Sequence, residues 1–203
     1  MSARPGGELA EVRDALAAAA GGYLRNVIRD PNVTCRVCAA PVGGFGLCLR
    51  CAQHRRVAGM ADVVAPLTYA IADTPSAAVV HDYKNHPVRA VRQRHAVVVK
   101  RLLFLAITAH ERCVGRVAGL AVSGRVGIPS LTNRPGVHPI QQILRAMHAV
   151  DGSVVLTPGP NALCDRVIGA DKFVLQAPAD VAGRQCWCST TPGRRDPTRS
   201  RPR

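Results

Sequence analysis

Apolar residues, mostly alanine, recur at helical spacing from Glu8 to Ile28, and Gly21 and Gly22 interrupt them, so the pattern predicts one or two short helices. Asp30, Pro31 and Asn32 end that segment. From Val63 to Ala72 a β-type run (Val63, Val64, Leu67, Tyr69, Ile71) leads through Asp73, Thr74 and Pro75 to Ser76. Ser76 is placed to cap a helix over Ala77 to Lys84, which Pro87 closes. Residues 88 to 112 alternate basic and apolar positions at helical period and predict a long helix ended near Gly115. Val117 to Ser123 reads as a short buried strand, and Ile128 to Pro139 as a loop dense in Pro, Gly and Asn. A helix is expected over Ile140 to His148, with strands over Gly152 to Leu156 and Lys172 to Gln176. Helices and strands alternate, as a parallel sheet requires, and the fold class read from them is α/β. After Gly183 the pattern stops. Gln185 to Arg203 is rich in Thr, Pro and Arg without apolar periodicity and is expected to be a solvated, disordered basic tail.

Those changes of pattern divide the chain into an N-terminal helical segment (1–32), a cysteine-bearing knuckle (33–56), an α/β domain (60–184) and the tail (185–203). The 203 residues, 47% of them apolar, suffice for one ordinary domain plus a small appendage. Aromatic residues make up only 3%, and the abundance of Ala, Val and Leu suits helices and covered parallel strands better than a sandwich.

The formal charge of +14 suggests a polyanion partner, but its distribution weakens that reading. Residues 184 to 203 carry six arginines against one aspartate, and the rest of the excess is scattered, with no aromatic platform evident in the sequence. Arginine outnumbers lysine 24 to 3, which, with the Ala, Gly, Pro and Val content, is what GC-rich codons produce. No secretory signal pattern and no run of membrane-spanning length occurs, so a cytoplasmic protein is expected. In a reducing compartment its eight cysteines are better explained as metal ligands and spare thiols than as disulfides.

Four of those cysteines follow the spacing Cys35-x2-Cys38-x9-Cys48-x2-Cys51. Each pair can place two thiolates on one ion from a tight turn, and four sulfurs complete a tetrahedron, the donor set of a structural zinc site. All four positions being sulfur, no place is left for water, so the metal's role is folding rather than catalysis. Gly43, Gly44 and Gly46 let the intervening chain turn back. The segment is too short and polar to have its own core and needs such a staple. Arg50, His54, Arg55 and Arg56 beside it form a basic face. Cys113 and Cys164 stand alone and read as small buried apolar side chains.

Taken with the knuckle, two further segments resemble the competence-F (ComF) type of phosphoribosyltransferase, which pairs an N-terminal zinc knuckle with a type I phosphoribosyltransferase domain. His81-Asp82-Tyr83-Lys84 looks like the family's short helix ending in lysine. Ile128-Pro129-Ser130-Leu131-Thr132-Asn133-Arg134-Pro135-Gly136-Val137-His138-Pro139 resembles the loop after the first core strand. The resemblance covers roughly residues 33 to 184. It implies that Arg134, and more weakly Lys84, would contact the pyrophosphate side of phosphoribosyl pyrophosphate. Read alone, each is a surface cation. Intact relatives would use Mg²⁺ in addition to the structural zinc.

The chain departs from that family at its C-terminal end. The resemblance requires an apolar strand ending in two adjacent acids and then Thr-Thr-Gly, whose backbone amides cradle the 5′-phosphate. Here the one acid after Asp180 is Asp196, and Thr190 and Thr191 are followed by Pro192, which has no N–H to offer. GC-rich codons can nonetheless be written for Gln185 to Arg195 so that the adjacent reading frame gives Val-Leu-Val-Leu-Asp-Asp-Thr-Trp-Thr-Thr, with Gly following. A single frameshift near Gln185 would thus have replaced the end of a phosphoribosyltransferase, with Cys186 and Cys188 as its by-products. Three expectations stand together: an inactive phosphoribosyltransferase-like protein, a basic zinc-binding adaptor contacting DNA or a DNA-uptake machine, and a non-functional product.

Overall fold

The computed structural model describes residues 5–56, 64–119, 121–131, 136–150, 154–160, 162, 172–176 and 186–189. Alanine-rich helix α1 spans Pro5–Ala20 and stops at the glycine pair, where Gly21 N–H still donates to Ala17 O at 2.8 Å. Beyond it the chain is not helical: residues 24 to 30 run as a strap toward the knuckle, whose short helix α2 covers Leu49–His54.

The β-type run expected from Val63 to Ala72 forms no strand among its described residues. Instead it is laced to the strap by Thr68, whose hydroxyl donates to Arg25 O at 2.9 Å, and by Tyr69 N–H, which donates to Arg25 O at 3.3 Å. Helix α3 spans Pro75–Asn85, a little longer than expected at both ends. Thr74, not Ser76, holds the cap position, and Pro75 follows it at the first helical site, where no amide is needed. Ser76 lies fully buried one residue further in and accepts from Ile71 N–H at 3.0 Å.

Helix α4 (Arg89–Leu105) passes through a π-helical turn at Ala106–His110 into α5 (Glu111–Ala118). The helical path therefore continues past Gly115 and ends at Gly119, whose φ of 68° is the left-handed cap that glycine adopts freely. This corrects the strand expected from Val117: the strand β1 begins later, at Gly124–Gly127. A bidentate pair between Arg125 and Glu111, 2.8 Å from Nη2 to Oε1, ties β1 back to α5. Helix α6 (Pro139–Ala146) starts where His138 Nδ1 accepts from Ile140 N–H at 3.3 Å, with Pro139 at its first position.

Strands β2 (Val155–Pro158) and β3 (Phe173–Gln176) pair antiparallel, against the expectation of a parallel arrangement throughout. The parallel pairing is between β1 and β4 (Cys186–Ser189), in register from Gly124 opposite Cys186 to Gly127 opposite Ser189. A strand thus stands where a disordered segment was expected from Gln185 onward; a ladder uses backbone amides, which any sequence but proline supplies. Residues 190–203 lie outside the described residues.

The main core is built by helices rather than by the four-residue strands. Ala20 of α1, Val79 and Tyr83 of α3, Val98, Val99 and Leu103 of α4, and Ile140, Ile143 and Leu144 of α6 bury their side chains together. The described residues mix α-helices with two two-stranded sheets, one parallel and one antiparallel, and helix-on-helix packing forms their main core.

Candidate metal centre

The first cysteine pair sits in a tight hairpin. Thr34 and Pro41 form an antiparallel bridge, flanked by Val42 N–H donating to Val33 O and Cys35 N–H to Ala40 O, both at 2.8 Å. Ala39 N–H closes the turn on Cys35 O at 2.8 Å, and to do so Ala39 takes a φ of 56°, in the left-handed region that side chains disfavour. Arg36 N–H then donates to Gly46 O at 3.1 Å, pulling the glycine-bearing loop back so that Cys48 arrives beside the hairpin. Cys48 precedes α2 and its sulfur accepts from Cys51 N–H at 3.4 Å, which fixes the second pair on the first turn of that helix.

The four sulfurs all lie within 4.8 Å of one another, and Cys38 Sγ is 3.8 Å from Cys48 Sγ. Metal–sulfur bonds of ~2.3 Å in a tetrahedron would give an edge of about 3.8 Å, whereas a disulfide requires ~2.05 Å. The four cysteines are free thiols spaced to share one metal ion. Among the described residues they are the one group of three or more His, Cys, Asp or Glu side chains so placed.

Electrostatics within the cluster fit that task. Burial opposes ionisation of Cys35, yet the backbone N–H groups of Cys38, Cys48 and Val37 and the Cys51 side chain outweigh it and bring the thiol down to about 6. Burial pushes Cys38 up from the ordinary thiol value. Cys51 is also raised, by burial first and then by the neighbouring Cys38, Cys48 and Cys35 side chains. Without a cation the site thus favours one thiolate held by amide dipoles, while further negative charge is penalised. A divalent ion reverses that penalty.

Two residues that the sequence reading passed over hold the knuckle in place. Tyr69 OH lies 3.0 Å from Ala39 O and 3.2 Å from Ile28 O, both acceptors, and itself accepts from Ile28 N–H at 3.1 Å. Arg29 reaches the carbonyls of Arg36, Val37 and Val64. Neither carries a sequence signal, because their partners are backbone atoms. On the surface of the knuckle, Phe45 and Leu49 stand 72% and 75% exposed, and Arg36, Arg50, Arg55 and Arg56 are exposed as well.

Of the remaining sequence candidates, Lys84 lies in the last turn of α3 with its ammonium 5.7 Å from the centre of the Tyr83 ring. Arg134 lies outside the described residues. The lone Cys113, expected to be buried, is exposed on α5; Cys164 lies outside the described residues. No family model, curated protein or solved structure matches this chain, so the ComF-type reading rests on the residues that suggested it.

Proposed function

We propose that this chain is a zinc-knuckle protein of the ComF phosphoribosyltransferase type, inactive as encoded because a one-base shift near Gln185 has replaced its ribose-phosphate loop. The metal half of this reading rests on the four convergent sulfurs, a closed donor set that suits zinc in a folding role. The observation that carries the transferase half is the parallel pairing of Cys186–Ser189 with β1. Codons can be written for these four residues so that the adjacent frame reads Val-Leu-Val-Leu, the composition of a buried parallel strand. Because the two strands run the same way, the loop beginning at Ile128 and the segment after Ser189 leave from the same end of the pair. With codons so written, the adjacent frame over that segment carries Asp-Asp and, after Thr-Trp, Thr-Thr-Gly. Ribose-binding acids and an amide-lined phosphate nest would thus stand beside the loop that holds Arg134. In intact enzymes of this type Mg²⁺ and side-chain cations hold the pyrophosphate as it leaves, while the ribose carbon gains positive character.

The gene sequence across codons 183 to 203 tests the frame directly, since codons that cannot be read as Asp-Asp and Thr-Thr-Gly remove the proposal. Where they can, correcting the frame by one base is expected to give a chain that binds phosphoribosyl pyrophosphate with Mg²⁺, while the chain as encoded does not. The metal is tested by a zinc assay on purified protein: one equivalent is expected, with loss from Cys48→Ser, because a missing thiolate opens the tetrahedron.

A second reading, a basic zinc adaptor on DNA, is favoured by the exposure of Phe45, Leu49 and several arginines on the same small knuckle. Binding of that kind would weaken steeply with salt and fall when Arg55 and Arg56 are neutralised together. Salt-insensitive or absent binding would remove it.

A further inference from the structure

Thiolate ligands of a metal are held by their own bonds and also by whatever fixes the amide dipoles around them. In a trans peptide the C=O and N–H of one unit point in opposite directions, so a group that grips the carbonyl from outside aims the amide hydrogen inward. The Cys35–Cys38 loop contains two such units. Their amides are Val37 N–H and Cys38 N–H, on the stretch that joins the two cysteines of the first pair. The carbonyls of those same two units, Arg36 O and Val37 O, point the other way and meet Arg29, whose Nη1 donates to the first at 2.9 Å and Nη2 to the second at 3.4 Å. Nη2 also donates to Val64 O, and Val64 N–H donates to Val37 O at 3.3 Å, so the segment after the knuckle closes on the same carbonyl.

We infer that Arg29 is a positioning residue of the metal centre: by fixing the Arg36–Val37 and Val37–Cys38 peptides through their carbonyls it holds the first chelate loop in ligating form. The guanidinium fork matters, since two carbonyls and a third from Val64 must be met by one rigid group. Charge adds to this, because four thiolates around a divalent ion leave a net negative centre that a nearby cation offsets. Arg36 provides the comparison. It is exposed on the same loop and carries the same charge, while its backbone carbonyl, not its side chain, belongs to the clamp.

This inference rests on the four cysteines binding a metal, and the experiment separates the two. Full-length protein stripped of metal is titrated with Co²⁺, whose thiolate charge-transfer and ligand-field bands report both affinity and geometry. The wild-type chain is expected to give the spectrum of a tetrahedral four-sulfur site; no such bands would sink the metal reading itself. Given those bands, Arg29→Met is expected to weaken Co²⁺ about 10–100-fold, as loss of an outer partner does, and to release Zn²⁺ faster to a coloured chelator. Arg29→Lys, which keeps the charge without the fork, should fall between. Arg36→Met should stay within about threefold of wild type, as expected for an exposed charge. Should Arg29→Met disturb the helical core, seen as loss of helical circular dichroism, the comparison of Arg29→Lys with Arg36→Met decides the matter. Equal affinity and release rates in wild type, Arg29→Lys and Arg29→Met would overturn the inference, as would an equal loss in Arg36→Met.

Discussion

Ala39 shows at a single residue what the knuckle demands of its backbone. The turn after Cys38 needs a left-handed residue, a place glycine fills without cost, and this chain puts a fully buried alanine there with φ of 56°. Ala39→Gly is expected to bind metal at least as tightly as wild type, because relief of the backbone compensates for the lost methyl. Ala39→Val adds a branched side chain to a disfavoured backbone in a packed site, at a cost of about 1–3 kcal/mol from overpacking alone. Since the hairpin forms together with the metal site, that cost should appear as at least a tenfold weaker zinc affinity in a chelator competition. Unchanged affinity in the valine variant would show that the turn does not constrain the ligands. The cysteine positions were legible because ligand spacing is a local property of the chain. The strain at Ala39 was not, because only the closed hairpin reveals which residue must turn left-handed.

Among the elements, the contact between β1 and α6 shows how closely the short sheet is built against a helix. A Cβ added at Gly127 would sit 2.9 Å from Leu144 Cδ1 and 3.1 Å from the Gln141 side-chain amide, and Gln141 Nε2 donates to Gly127 O at 2.8 Å. Leu144 is fully buried and has little room to yield. Gly127→Ala is therefore expected to lower stability by about 1–2 kcal/mol, read as a shift of the urea midpoint. Gly46→Ala, where a Cβ meets nothing within 4 Å, should stay within about 0.5 kcal/mol of wild type. The helices were legible at this scale, since α3, α4 and α6 follow apolar periodicity and proline punctuation. Strand boundaries were not: Val117 belongs to α5, because a glycine can end a helix at 119 as readily as at 115, and periodicity does not choose between them. Nor did the pattern show that residues 64–72 would remain irregular, because their hydrogen bonds go to the strap at Arg25 and Ile28 rather than to a neighbouring strand.

At the scale of the whole molecule, the described residues form two separate clusters of buried side chains. Cys35, Val37 and Cys51 form the small one, while α1, α3, α4 and α6 supply the larger, which contains no metal ligand. Removing metal with a chelator is accordingly expected to open the knuckle and leave the helical core folded. The helical circular dichroism should fall by no more than the six residues of α2 contribute, while the thiols become reactive toward a disulfide reagent. A cooperative loss of the whole helical signal would show that Arg29 and Tyr69 bind the two parts into one folding unit.

Sequence alone determined which four cysteines cluster and where α3, most of α4 and α6 lie, because both depend on spacing along the chain: a chelate turn is two residues wide and a helix repeats every ~3.6. Tertiary structure alone decided how β2, β3 and β4 pair, since a ladder joins backbone groups that carry no side-chain signature. It decided the guanidinium clamp on the first chelate loop as well, for the carbonyls of Arg36, Val37 and Val64 come within reach of one side chain only after the chain has folded back on itself.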